Sequence, residues 1–356
     1  MIVFGDEQGT GSVFTSIPDV NTEPVPCSFP SQVTPELEGT MRIEVSSREL
    51  ATGERLVITK NRFIPEGIGG LQLDDLSRAC IVTGIHGDEL EGQYAVFELA
   101  RRLRENPQHL HGIVDIYPAA NPTGIGAIER GIPQFDLDMN RIFPGNNAAS
   151  PFESMAAELV ADVQGAAVAF DIHASNIFLR EIPQIRINEV SAERLVPLAK
   201  RANVDFVWIH ANATVLKGTF AYSMNALGVP TLVVEAGVGM RITPEVGRQL
   251  ADGMLAVLAE VGIWTGPVPD VRTPTISTDG EVSFVNADSA GVFVPSVEHR
   301  LHVEKGQVIG HILDCGEGAV IQELVAPASG LLFTLREYPI VYPGSLIARV
   351  LGGELS

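Results

Sequence analysis

The chain reads as an α/β protein. A mixed, largely parallel sheet flanked by helices is predicted, followed by a small C-terminal all-β, barrel-like domain. Three observations carry this reading. Continuous apolar runs such as Ala79 to Ile85 and Ala166 to Ile172 have the character of strands buried on both faces. Amphipathic helical stretches alternate with them, as an α/β layer requires. After Trp264 the alternation stops, and short strand-like runs split by Gly and Pro take over.

Taken in order, residues 1–40 are rich in Pro, Ser and Thr and read as an irregular lead-in with at most a short strand. Met41 to Val45 and Arg55 to Thr59 look like strands, with Ala51-Thr52-Gly53 as a turn signal. The strand Ala79 to Ile85 is followed by a helix, Glu89 to Glu105, with Val96, Leu99, Ala100 and Leu103 on one face. Asn106-Pro107 ends it. Ile113 to Tyr117 is the next strand and leads into a long loop that reaches Phe143-Pro144-Gly145, a length that marks function in a compact domain. Ser154 to Val163 is helical, Ala166 to Ile172 is a strand ending at His173, and Leu195 to Ala202 is helical. Asp205 to Ile209 and Thr231 to Val234 are strands. Thr243-Pro244 opens a long helix, with Thr as N-cap and Pro at the first position, and Gly262 closes it. Gly266-Pro267-Val268-Pro269 reads as a linker, so a catalytic-type domain is placed at 41–268 and the β-rich domain at 269–356.

The 356 residues include 45% hydrophobic side chains, enough for a large core, and a formal charge of -20 that disfavours a nucleic-acid partner. Three widely spaced cysteines, Cys27, Cys80 and Cys315, form neither a disulfide framework nor a CxxC site, and Cys80 reads as core. There is no signal-peptide pattern at residues 1–16 and no apolar run of membrane-spanning length. A cytoplasmic location without a membrane partner is the expectation, and a homo-oligomer stays open.

In an open parallel sheet, ligands bind beyond the carboxyl ends of the strands. Those ends carry a coherent set here: His86 and Glu89 after the first buried strand, the Asn121 loop after the second, His173 after the third and Glu235 after the fourth. Two His and one Glu are a known set for a catalytic zinc with an open position, and a further carboxylate can act as general base. The loop adds Arg130 and Asp136-Leu137-Asp138-Met139-Asn140-Arg141, where Arg suits bidentate capture of a carboxylate. Gly124-Ile125-Gly126 follows a proline and lacks the amphipathic helix of a dinucleotide site, so it is set aside.

Four ordered motifs, Gly84-Ile85-His86-Gly87-Asp88-Glu89, Asp138-Met139-Asn140-Arg141, Asp171-Ile172-His173 and Val234-Glu235-Ala236-Gly237, resemble the succinylglutamate desuccinylase/aspartoacylase family over roughly residues 40–265. Members of that family are relatives of the zinc carboxypeptidases. The resemblance implies a zinc-carboxypeptidase-like fold and one zinc ion per chain held by His86, Glu89 and His173. It further implies Glu235 as general base and proton shuttle, and Asn140 and Arg141 as the grip on a substrate carboxylate. Arg130 would polarise the scissile carbonyl or help hold a carboxylate, and Asp138 would orient His86. Tyr222 is a candidate for a substrate-facing tyrosine; Arg180 and Arg186 read as pocket or surface arginines, and His210 has no assigned role.

The tail segments Val303 to Gly310 and Val325 to Gly330 resemble a biotinyl/lipoyl-type barrel, but the hairpin tip Asp314-Cys315-Gly316-Glu317-Gly318 has no lysine, so a structural or gating module is expected. The implied activity is hydrolysis of the amide bond of a small N-acylated substrate, an N-acyl amino acid or similar carboxylate. The alternatives are a zinc carboxypeptidase acting on short peptides and a non-catalytic carboxylate-binding protein. A carrier protein is disfavoured by the missing lysine, and a binder need not keep a general base.

Overall fold

The computed structural model describes residues 40–352, apart from 68–72, 74, 134, 212–216 and 279–280. The irregular lead-in expected for 1–40 therefore lies outside the described residues, except for Thr40. Two antiparallel strands open the described chain, β1 (Thr40–Glu49) and β2 (Arg55–Phe63). They are followed by β3 (Arg78–Thr83), α1 (Glu91–Glu105), β4 (Ile113–Tyr117), α2 (Pro122–Ala127), α3 (Pro151–Val163) and β5 (Val168–His173). Next come β6 (Leu179–Asn188), α4 (Ala192–Ala199), β7 (Phe206–His210), α5 (Phe220–Ala226), β8 (Thr231–Gly237) and α6 (Pro244–Glu260). The remainder is all β: β9 (Thr275–Thr278), β10 (Val282–Asn286), β11 (Gly291–Pro295), β12 (His302–Val303), β13 (Val308–Asp314), β14 (Ala319–Val325), β15 (Gly330–Arg336), β16 (Ile340–Val341) and β17 (Leu346–Gly352).

At the centre, β4, β3, β5 and β8 lie side by side and parallel. Burial is continuous over β4 and β5 and from Ala79 onward in β3, as the apolar runs require, while β8 leaves Val233 and Glu235 part-exposed. Helices α1, α4 and α6 cover one face with a core that includes Leu99, Phe170, Leu232 and Met254. Helices α3 and α5 cover the other, around Val82, Tyr117, Leu159 and Phe220. The C-terminal strands have their own core, with Phe293, Ile309, Ile312, Leu332 and Ile347. The main sheet nevertheless runs on across position 268, because β15 pairs antiparallel with β6 and β9 pairs parallel with β7. A cluster of Ile182, Phe206, Trp208, Phe333 and Leu351 fills that seam. No helix among the described residues is long and apolar enough to cross a membrane.

Several elements differ from the sequence reading for identifiable reasons. The apolar run at 79–85 stops being a strand at Thr83, since Gly84 has φ +69° and turns the chain. Helix α1 starts at Glu91, which leaves Glu89 in the turn. The loop at 118–145 is not structureless: it holds α2 and a 3-10 turn, Met139–Arg141. Helix α3 begins three residues earlier than expected, because Ser150 and Glu153 form a capping box and Pro151 takes the first position. Helix α4 is likewise shifted towards its start, and α5, with Thr219 as its cap, was not anticipated. Thr243 stands at the N-cap of α6, but its side chain makes no capping bond; its backbone N–H donates instead to Glu91 Oε1 at 2.8 Å.

The largest omission is β6. The adjacent Arg180 and Glu181, a further Arg186 and the internal Pro183 argue against a central strand. The structure accommodates them with a bulge: Glu181 pairs with Gly237 and Gln184 with Glu235, and the register shifts between them.

Packing sets one clear expectation for stability. Replacing a helical Gly by Ala normally gains about 1 kcal/mol. A Cβ on Gly253, inside α6, would lie 1.9 Å from the backbone oxygen of Ala202. Gly253→Ala therefore lowers stability, by roughly 1–3 kcal/mol as overpacking does, and chemical denaturation of the variant checks the sign.

Candidate active site

His86 and Glu89 leave the carboxyl end of β3 through a tight turn that packs against α2. The reason for glycine at 87 is close approach: a Cβ there would sit 2.0 Å from the backbone carbon of Gly124. Both side chains are buried. The Nδ1 atom of His86 lies 2.8 Å from Glu89 Oε1, and its Nε2 lies 3.1 Å from Asp138 Oδ1. Asp138 caps the 3-10 turn by accepting from the backbone N–H of Asn140 at 2.8 Å, so one carboxylate fixes both the loop and the imidazole.

His173 ends β5. Its Nδ1 is 2.9 Å from Glu89 Oε2, which also accepts from the Ala174 backbone N–H at 3.1 Å. Behind it, Nε2 is 3.0 Å from Asp171 Oδ1 and 3.3 Å from Asn140 Nδ2. Asp171 and His173 are two residues apart on a strand and so share a face. Each of His86, Glu89 and His173 offers one ligand atom, all within 4.8 Å of one another. Although buried and close to Glu89, His86 Nδ1 has no aligned hydrogen-bond partner. An orphaned imidazole nitrogen converging with a second imidazole and a carboxylate fits a divalent metal of the zinc class.

Electrostatics follow from this crowding. Burial opposes charge on His86, but Asp138 and Glu89 outweigh it and raise its pKa. For His173 burial is likewise overcome, here by Asp171 and Glu89, and the pKa rises well above its ordinary value. Burial works against the Glu89 anion, but both imidazoles outweigh it and hold the carboxyl down at about 2. Asp138 is lowered too: His86 and Arg130 overcome its burial.

Glu235 lies on β8, in register with His173 on the neighbouring strand. Burial raises its pKa, against the pull of Arg186 and His173. Arg130 donates from Nη1 to Glu89 Oε1 at 2.8 Å and stands 3.5 Å from Asp138. Asn140 is buried and accepts from the Phe220 backbone N–H at 2.9 Å, which ties the loop to the start of α5. Arg141 donates to the Asn140 carbonyl at 2.8 Å through Nη1. All of these except Asp138 line one cavity of about 1360 Å³. Tyr222, His210 and Arg186 also line it; Arg180 is outside the lining and pairs with Glu337 at 2.9 Å.

Two features escaped the sequence reading. Asp171 stands behind His173 much as Asp138 stands behind His86, a pairing signalled by the Asp-x-His spacing on a strand. Arg186 reaches Glu235, with Nη1 at 3.4 Å from Oε1, and no local spacing signals that contact because β6 was not foreseen.

An α/β sheet whose strand ends gather two imidazoles, a carboxylate and a neighbouring glutamate in one cavity defines a hydrolase-type site. Residues 75–261 match the succinylglutamate desuccinylase/aspartoacylase catalytic domain, and the chain belongs to that family of amide-hydrolysing deacylases. It is 26% identical over 322 residues to the N-alpha-acetyl-L-2,4-diaminobutyric acid deacetylase of Halomonas elongata, covering 88% of this chain and 90% of the relative. The fold is shared with the product-bound ectoine utilization protein EutE (DoeB) of Ruegeria pomeroyi, with TM-score 0.73, 20% identity and coverage of 88% and 96% of the two chains. It is shared equally with a succinylglutamate desuccinylase/aspartoacylase of Rhodobacter sphaeroides, with TM-score 0.73, 22% identity and coverage of 89% and 96%.

The raised imidazoles set a sign for stability in chelator-treated protein. A His whose folded pKa exceeds its unfolded value of 6.5 contributes stability that is complete below that value and is lost as pH rises through the folded pKa. Urea denaturation of the stripped protein should therefore show stability falling from pH 6.5 upward. His86→Ala should flatten that slope, and an unchanged slope would place the protons elsewhere.

Proposed function

We propose that the protein is a zinc-dependent amidohydrolase that removes the acyl group from an N-acylated amino acid or similar small carboxylate. The observation that supports this most is the meeting of His86, Glu89 and His173 with Glu235 at the carboxyl edge of one parallel sheet, in a cavity that also presents Arg130 and Arg141. The deacetylase relative from Halomonas elongata points to the same substrate class. A zinc ion held by His86, Glu89 and His173 would polarise the scissile carbonyl and make a water more acidic.

The chain's own groups then have distinct tasks. Glu235 accepts a proton from the attacking water, whose oxygen bonds to the carbonyl carbon. The C–N bond breaks, and Glu235 returns the proton to the leaving nitrogen, giving a carboxylic acid and an amine; the acid's remaining proton passes to the amine, so that a carboxylate and an ammonium group are released. The upward-shifted pKa of Glu235 brings the carboxyl nearer to neutral, where a base that must also act as an acid works best. Asp138 holds His86 by its far nitrogen and the Asp171 carboxylate stands 3.0 Å from that of His173, an arrangement that would favour the tautomers presenting Nδ1 to a metal. Arg141 and Asn140 grip the substrate carboxylate, and Arg130 adds positive charge near the carbonyl oxygen.

Purified protein should carry about one zinc-class ion per chain, and His173→Ala should lose both metal and activity. Glu235→Gln is nearly isosteric; it should keep the metal and product binding while turnover falls ~100-fold or more. Arg141→Ala should mainly raise KM. Steady-state kinetics on a panel of N-acyl amino acids and dipeptides, with metal content measured on the same samples, tests all three. A Glu235→Gln variant that turns over at near wild-type rate would overturn the assignment of the base.

A further inference from the structure

The contact between Arg186 and Glu235 is the end of a longer chain of charges. Arg186 is shared by two carboxylates: Nη1 lies 3.4 Å from Glu235 Oε1 and Nη2 lies 3.3 Å from Glu181 Oε1. Its guanidinium stands over the Trp208 ring, 5.6 Å from the centroid. Glu181 is 2% exposed and fully engaged. Its Oε1 also accepts from Arg349 Nη1 at 2.7 Å, and its Oε2 accepts from the Thr334 hydroxyl at 3.2 Å and from the Gln184 amide. Thr334 is on β15 and Arg349 on β17, so both come from the C-terminal strands. The bulge in β6 makes this possible. Residues 181 and 184 would face opposite sides of a regular strand, and the extra residue brings Glu181 onto the face of Gln184 and Arg186.

Arg349, Glu181, Arg186 and Glu235 therefore alternate in sign from the C-terminal strands to the reacting edge of the sheet. We propose that Arg349 is a positioning residue for the reaction: by compensating Glu181 it leaves Arg186 able to hold the Glu235 carboxylate in place. The proposal rests on reading Glu235 as the base. Without Arg349, one guanidinium faces two carboxylates. The Glu181 side chain is 1% exposed and that of Glu235 16%. An unpaired charge costs more at the deeper site, so Arg186 turns to Glu181 and releases Glu235. The base is then present but no longer held, which slows turnover and leaves substrate binding largely intact.

Arg349→Met tests this while keeping an apolar stem over the Trp208 and Phe284 rings, which the guanidinium of Arg349 now approaches at 5.6 and 5.7 Å. The expected result is a fall in kcat of about tenfold, the usual scale for losing a supporting partner, with KM within about twofold and metal content unchanged. Arg349→Lys should recover part of the loss. The decisive variant is Glu181→Gln combined with Arg349→Met. Removing the competing charge should return Arg186 to Glu235 and restore turnover, a rescue that lost packing would not permit. In a Glu235→Gln background Arg349→Met should have no further effect. Thermal midpoints on the same samples identify any variant that has merely lost its fold; in that case the Lys variant and the rescue pair carry the decision. Wild-type kcat in folded Arg349→Met, or equal losses with and without Glu181→Gln, overturns the relay while Glu235→Gln stays crippled. If Glu235→Gln itself turns over normally, the base assignment fails, and the relay fails with it because it would have no endpoint.

Discussion

One carboxylate organises the site. Glu89 accepts from Arg130 on one oxygen, which His86 Nδ1 also approaches to 2.8 Å, and from His173 and the Ala174 amide on the other. Three segments that are distant in sequence, the β3 turn, the 130 loop and the end of β5 with the residue after it, are thus fixed against a single buried group. Charge is costly to bury unless it is paired and hydrogen-bonded. Glu89 persists in the interior because cationic or polarisable partners surround it. The same condition explains why His86 and His173 each have an aspartate on the far side, 3.1 and 3.0 Å from Nε2, where its negative charge balances positive charge on the ring.

The loop between β4 and α3 does less to cover the site than to furnish it. Its helix α2 packs against the 86–89 turn, and Gly87 is the point of contact. Its 3-10 turn delivers Asp138 from the N-cap and Asn140 from two residues further on. Asn140 then reaches the N-terminus of α5 through the Phe220 amide. Polar loop positions that read as solvent-exposed in the sequence are in fact braced by neighbouring elements, which is how a loop can hold side chains with the precision of a strand end.

The sequence revealed most of this because the strong signals are local. Apolar runs ending in His or Glu mark strand ends, and the spacing His-x-x-Glu at a glycine turn brings an imidazole and a carboxylate together. The central strands, the helices α1 and α6 and the converging His86, Glu89 and His173 could all be read that way. What escaped is non-local or contradictory at short range. Strand β6 carries a proline and three charged residues, which normally argue against a buried strand, and only its bulge and its ion pairs make it one. With β6 unseen, the neighbours of Arg186 could not be inferred, and Arg349 had no reason to be linked to the carboxyl edge of the central strands. Asp171 was visible within its motif, but its task depends on which imidazole nitrogen faces inward, a matter of geometry rather than spacing.

The bulged strand also bears on how the protein can be divided. One long edge of β6 is covered by β15 near Glu181 and by β7 further along, and β7 is covered in turn by β9. A chain ended at the linker after Trp264 would lack both β9 and β15. It would bare unpaired backbone groups along two adjacent strands, together with Phe206 and Trp208 from the seam. Such an edge is a template for pairing with another chain. The C-terminal strands thus act as a permanent cover against self-association, so a fragment carrying every residue of the site would still be a poor starting point for an isolated enzyme.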